Sequence, residues 1–156
     1  MRRPVSTVVA VLLSVLLAGL GGCGTQGPKS SPSPAKDMLK RGDEHLKNGK
    51  KDKAIAAYGE AIKADPNAKD AYRKRAMLLN ETGKPKEALK DYSKAIELDP
   101  NDSYSYEQRS LIYKTAMKDP AKAQADSDKA FALREKQRED ARTTRNKAME
   151  KKNGKK

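Results

Sequence analysis

Residues 49–67 read GKKDKAIAAYGEAIKADPN, and residues 83–101 read GKPKEALKDYSKAIELDPN. A shift of 34 places lays Gly49 on Gly83, Ala54 on Ala88, Tyr58 on Tyr92, Ala61-Ile62 on Ala95-Ile96, and Asp65-Pro66-Asn67 on Asp99-Pro100-Asn101. Self-similarity of this kind marks a stack of supersecondary units, each too small to bury its apolar face alone. The residue types describe the unit. Ala54 and Ala61, like Ala88 and Ala95, lie seven apart on one helix face, and without atoms beyond Cβ they let a neighbouring helix come close. Tyr58 and Tyr92 add bulk between these small sites. Gly49 and Gly83 supply the backbone freedom of a tight helix hairpin. Pro66 and Pro100 break the chain between helix pairs, and Asn67 and Asn101 are placed to cap the next helix. Gly42, Ala76 and Ser110 are the small residues on the first helix of each pair. All of these residues build scaffold and are not sites.

This pattern resembles the tetratricopeptide repeat, which wants a small residue at its eighth place, Ala at the twentieth and twenty-seventh, an aromatic at the twenty-fourth and Pro at the thirty-second. The repeats run over residues 35–68, 69–102 and 103–133. In the third, Ser110 and Tyr113 fit the first helix and Ala130 the second, but Met117 replaces the turn glycine. Ala123 falls one place late, which implies a single inserted residue in the turn Lys118-Asp119-Pro120. Asp119 before Pro120 reads as a cap and a first-turn proline, so a helix restarts there. The expected fold is all-α, an α-solenoid of about three helix-turn-helix repeats, six helices in antiparallel pairs. Residues 134–156 lack proline and are rich in helix formers. They should prolong the last helix as a charged rod to about Lys151, its first turns covering the exposed end of repeat three.

The resemblance also implies a site. In the family, first-helix positions line a ligand groove, and carried onto this chain they include Leu39, Asp43, Leu46, Arg73, Met77, Tyr104, Leu111 and Lys114. The full set of lining positions holds four basic and four acidic residues, so the groove is balanced. Some members hold an acidic chaperone tail in a carboxylate clamp of Lys, Asn and Arg. The corresponding positions here carry Leu39, Asp43, Lys74, Tyr104 and Gln108, so that clamp is absent. A mixed groove with apolar anchors suits an extended or helical peptide.

Ahead of the repeats, Val8 to Leu20 form a thirteen-residue apolar run after Arg2 and Arg3, followed by Gly21, Gly22 and Cys23. A basic start, a short apolar stretch and small residues make an export signal. Spanning a bilayer takes about 20 apolar residues, and this run falls short. Leu20-Gly21-Gly22-Cys23 resembles the lipobox of bacterial lipoproteins. That resemblance implies removal of residues 1–22 as a signal peptide and lipidation of Cys23, with palmitate among the expected acyl groups and no other cofactor. Several acyl chains hold a membrane firmly where one does not. Residues 23–34, rich in Pro, Ser and Gly, read as a flexible tether. The address is then an exported protein anchored to a bacterial membrane: the periplasmic face of the outer membrane in a diderm, the outer face of the cytoplasmic membrane in a monoderm.

Composition narrows the function classes. The 156 residues carry 34 Lys and Arg against 21 Asp and Glu, a net charge of +13, with 36% hydrophobic residues. That apolar share argues against a deep core with a buried catalytic pocket. Removing residues 1–22 leaves 134 residues at +11, of which residues 134–156, with ten basic and four acidic side chains, supply +6. Arg138, Arg142, Arg145, Lys147, Lys151 and Lys152 are therefore candidates for binding an anionic envelope polymer or phospholipid surface. Nucleic acid matches the charge but not the exported address. No phosphate-cradling glycine loop, nucleophile elbow or metal-ligand cluster appears, and no enzymatic activity or metal is expected. His45, the sole histidine, falls where repeat one wants a packing aromatic. The carboxylates Asp43-Glu44 and Asp126/Asp128 read as solvated charge. Taken together, these features predict a lipid-anchored envelope scaffold that binds a protein or peptide in its groove, with the basic rod on an anionic surface as the alternative.

Overall fold

The computed structural model describes residues 33–153. Cys23, the signal segment and most of the tether lie outside the described residues, as do residues 154–156. Six α-helices follow one another: α1 Pro34–Lys47, α2 Lys51–Ala64, α3 Lys69–Glu81, α4 Pro85–Leu98, α5 Ser103–Ile112 and α6 Pro120–Asn153. There is no strand among the described residues. The fold is an all-α solenoid in which α1 pairs with α2, α3 with α4 and α5 with α6.

The repeated small residues and tyrosines form the interior. Ala54, Tyr58 and Leu78 make one buried cluster, flanked by Leu39, Leu46, Ile55 and Met77. Ala76, Leu79, Ala88, Tyr92 and Ile112 make the next, with Leu89 and Met117 against it. Gly49 and Gly83 adopt φ of 70° and 80°. This left-handed turn closes each hairpin through a backbone bond, Lys50 N–H to His45 O at 2.9 Å and Lys84 N–H to Leu79 O at 2.8 Å.

The third hairpin departs from the expected place of its extra residue. The insertion is absorbed inside the helix, as a π-helical turn over Tyr113–Met117, rather than in the turn Lys118-Asp119-Pro120. Widening one helical turn takes up a single added residue, which is how such bulges arise. The left-handed position moves on to Lys118, at φ 53°. The closing bond correspondingly spans one residue more, from Asp119 N–H to Tyr113 O at 2.9 Å. Asp119 does cap α6, accepting from Lys122 N–H at 3.1 Å.

The caps between repeats also differ from expectation. Asn67 and Asn101 do not cap α3 and α5 with their side chains. Their own backbone N–H groups donate to the carboxylates of Asp65 and Asp99, both at 2.9 Å, the bond of an Asx turn. The cap of α5 is Asp102, which accepts from Ser105 N–H at 3.3 Å and Ser105 Oγ at 2.7 Å.

Asp126 is not solvated. It is buried beneath Arg109, whose Nε and Nη2 donate to its two oxygens at 2.7 and 2.8 Å. Arg75 and Asp91 form the same two-pronged pair one repeat earlier, both bonds 2.7 Å. In each case the aspartate's bonds raise the arginine's affinity for its proton against the opposing effect of burial. Repeat one breaks the series: Arg41 has Ala57 opposite it in the repeat.

Beyond Leu133, α6 runs on as one helix, 34 residues in all, or about 51 Å. Arg134 Nη1 donates to Glu107 at 2.8 Å and Gln137 Nε2 to Asn101 O at 3.3 Å. These contacts tie the rod to α5 and the loop before it. They do not cover the end of repeat three, because a straight helix cannot fold back on its own face, and Phe131 stays 61% exposed.

Candidate functional site

The first helices α1, α3 and α5 place the family's lining positions along the solenoid. A cleft of about 390 Å³ opens between Leu46, Arg73, Lys74, Met77 and Tyr104. It brings together four of the sequence-derived lining positions, Leu46, Arg73, Met77 and Tyr104, with Lys74, the residue at a clamp position of the second repeat. Leu39 lies instead in a separate cleft of about 260 Å³ toward the start of α1, with Lys36, Asp65 and Asp70. Leu111 is 48% exposed near the end of α5, and Lys114 is exposed in the π-helical turn.

The cations of the Leu46–Met77–Tyr104 cleft are already paired with carboxylates beside it. Lys74 Nζ donates to Asp43 at 2.6 Å, and Tyr58 Oη donates to the same oxygen at 2.7 Å. Burial pushes the Asp43 carboxyl up, but the bonds from Lys74 and Tyr58 and the charges of Lys74 and Lys47 outweigh it and hold the group below its ordinary value. Burial, reinforced by Asp43, pushes the Tyr58 hydroxyl well above the usual tyrosine range. Asp43 is thus a joint between α1, α2 and α3, and the expectation of a merely solvated carboxylate is corrected.

Arg73 is fixed from three sides. Its Nη2 donates to Asp70 at 2.9 Å, its Nη1 stands 3.8 Å from the buried Asp102, and its guanidinium lies 5.6 Å from the centre of the Tyr104 ring. Such a cation–π contact orients both groups. Below it, burial and then the neighbouring Tyr104 push the Tyr92 hydroxyl up. What remains open to a ligand is the apolar surface of Leu46, Met77 and the Tyr104 ring, rimmed by paired charges. No lysine or arginine of the cleft is left over to grip a free carboxylate.

The rod separates into two parts. Arg138 is paired with Glu135 one turn away. Arg142, Arg145, Lys147, Lys151 and Lys152 are exposed, and among the described residues none has an ion-pair partner.

Sequence reasoning placed Lys74 at a clamp position but missed its bond to Asp43, and it missed the two Arg–Asp pairs. A signal for the latter was present in Arg41, Arg75 and Arg109, spaced by 34. Nothing in the sequence marks Asp126 as buried and its neighbour Asp128 as exposed until the insertion is placed.

Comparisons with known proteins agree with this geometry. Sequence signatures described as tetratricopeptide repeat match residues 39–103 and 92–136. No match is found among curated proteins. Among solved structures, the chain superposes on MamA with a TM-score of 0.66 at 24% identity, over 69% of this chain. It spans 62% of the length of MamA, and that likeness speaks for the fold alone. The second tetratricopeptide domain of Spaghetti (RPAP3), bound to the HSP90 peptide SRMEEVD, matches with a TM-score of 0.61 at 30% identity, covering 64% of this chain and 92% of that one. The TPR2B domain of yeast Sti1, in a complex with pHsp70, matches with a TM-score of 0.60 at 31% identity, covering 64% and 79%.

Proposed function

Because the chain belongs to the tetratricopeptide repeat family, a fold of stacked helix pairs used for protein–protein interaction, we propose that it is a non-catalytic scaffold holding a peptide segment in the Leu46–Met77–Tyr104 cleft. One observation carries this reading: an apolar cleft whose cations are all satisfied internally. Its ligand is accordingly a segment with apolar anchors. An acidic chain terminus does not fit, because Asp43 repels it and Lys74 is engaged. The related domain of Spaghetti is bound to an HSP90 peptide and that of Sti1 is in complex with pHsp70, which supports a peptide in the groove while the charge pattern here speaks for a different one.

A second reading rests on the distal rod, where five exposed basic side chains lack acidic partners among the described residues. Each Lys or Arg close to an anionic membrane contributes about 1 kcal/mol, so this segment suits an anionic envelope polymer or lipid surface. The two readings separate in one experiment. A photo-crosslinking side chain at Leu46, read in native envelopes, should capture a protein that is lost with Arg73→Glu/Met77→Ala and retained after deletion of residues 134–156. If instead the deletion removes binding while the cleft variant keeps it, and that binding falls steeply with salt, the rod is the working surface.

We also propose that Cys23 is lipidated and fastens the scaffold to a bacterial membrane as an envelope lipoprotein, in support of which stands the run from Arg2 to Cys23. Cys23→Ala should abolish incorporation of labelled palmitate and leave residues 1–22 attached. Undiminished labelling in the variant defeats the anchor.

A further inference from the structure

Both junctions between repeats are built by one rule. At the first, Ile55 and Gly59 of α2 line one cleft with Arg75 and Leu79 of α3, Ile55 packing against the cluster that holds Leu79 and Gly59 facing the Arg75 guanidinium. At the second, Leu89 and Ser93 of α4 line one cleft with Tyr113, and Arg109 Nη1 donates to Ser93 Oγ at 3.0 Å. Counted within the repeat, the second helix offers its twenty-first and twenty-fifth places, and the following first helix answers with its seventh and eleventh. The seventh place is an arginine every time: Arg41, Arg75 and Arg109.

The two ends of the stack present these same places with nothing against them among the described residues. At the start, α1 offers Arg41 and His45. At the finish, allowing for the residue inserted in repeat three, α6 offers Gln124 and Asp128. Arg41 is exposed and has no ion-pair partner among the described residues, since Ala57 replaces the aspartate that holds Arg75 and Arg109. Asp128 is exposed too, and accepts only from Gln124 of its own helix, at 2.8 Å. Phe131 completes the open face. It stands where repeats one and two have Ile62 and Ile96, and Ile96, with another repeat after it, is only 9% exposed.

We propose that these ends belong to each other: a second copy of the chain docks its α1 on α6 of the first, head to tail, with Arg41 against Asp128 and Phe131 covered. The charges select this occupant. Asp128 replaces the neutral Gly59 and Ser93 at the place where an arriving arginine lands, and Arg41 is the arginine of the series whose own repeat gives it no acid. One contact satisfies both groups and buries an aromatic. It is heterologous, so each added copy leaves a fresh end and the product is an open stack.

The test is sedimentation of the full-length chain, kept in detergent, over rising protein concentration, where the mass should climb past that of one chain. Arg41→Glu and Asp128→Arg each set like charges across the junction, and each should weaken association about ten-fold or more. Mixed in equal amounts, the two variants oppose Glu to Arg at one junction and keep Arg41 on Asp128 at the next, so association should return. Phe131→Asp should weaken it without touching the pair. A chain that stays single up to about 1 mM, association indifferent to all three substitutions, or a mixture that fails to recover, overturns the proposal.

Discussion

Arg109→Ala lowers the stability of the helical domain by about 3 kcal/mol, whereas Arg41→Ala, the same change at the same place of the repeat, stays within about 0.5 kcal/mol. Arg109 has a side chain 18% exposed over an aspartate 9% exposed, and the pair shares two short bonds. Removing the cation leaves the Asp126 charge without its partner in a place water barely reaches, and that orphaned charge, rather than the lost attraction, dominates the cost. Arg109 also reaches Ser93 of the preceding repeat, so its loss loosens the junction as well as the repeat. In a stack stabilised by nearest neighbours, the terminal repeat then melts before the rest. Arg41 has no such duty. Urea melts of the three proteins at low micromolar concentration, followed by helical circular dichroism, measure the difference. Arg109→Leu/Asp126→Leu should recover much of the loss, since it removes both charges at once. If Arg109→Ala melts with the parent chain, the pair contributes nothing and repeat three is held by its apolar contacts alone.

The contrast between these two arginines shows what a sequence discloses and what it withholds. The period of 34, the alanines and tyrosines of the hairpins and the glycine turns are legible because each follows from local geometry repeated in register. The extra residue of repeat three is legible as a count, through Ala123 arriving late, but its place is not. Lys118, Asp119 and Pro120 have turn composition, yet a helix can widen one turn more cheaply than it can rebuild a capped hairpin, and the π-helical turn at Tyr113–Met117 is the result. Long-range pairing is least legible of all. Asp126 and Asp128 are indistinguishable in composition, and only the shifted register puts one beneath Arg109 and the other in solvent. The groove shows the same limit. The family pattern puts Leu39, Leu46 and Met77 on one face, but Leu39 lines a separate cleft while Leu46 and Lys74 lie beside Met77.

A large side chain at Gly42 should cost as much as the lost ion pair, and for a different reason. A Cβ placed there falls 2.5 Å from Cδ1 and 2.9 Å from Cζ of Tyr58, far inside contact distance. Repeats two and three carry Ala76 and Ser110 at the same place, so the family tolerates a Cβ in general, and the tightness belongs to this hairpin. Tyr58 has nowhere to go. It is fully buried, and its hydroxyl is bonded to Asp43, which also holds Lys74. Gly42→Ala gains about 1 kcal/mol of helix propensity and loses about 1–3 kcal/mol to overpacking, for a net loss of about 1 kcal/mol. Gly42→Leu gains nearly the same propensity but must place three more carbons against the Tyr58 ring, and should lose about 3 kcal/mol or more net, enough to separate α1 from α2. Because the displaced ring carries Asp43 with it, the same variants should weaken ligand binding at the Leu46–Met77–Tyr104 cleft even where the helices persist. Shrinking the obstacle should rescue the fold: Gly42→Ala/Tyr58→Leu should show a favourable coupling against the two single changes. Thermal melts of the four proteins measure that coupling. Strict additivity, or a Gly42→Ala chain more stable than its parent, would mean that Tyr58 can yield, and that the joint it forms with Asp43 and Lys74 does not hold the cleft in shape.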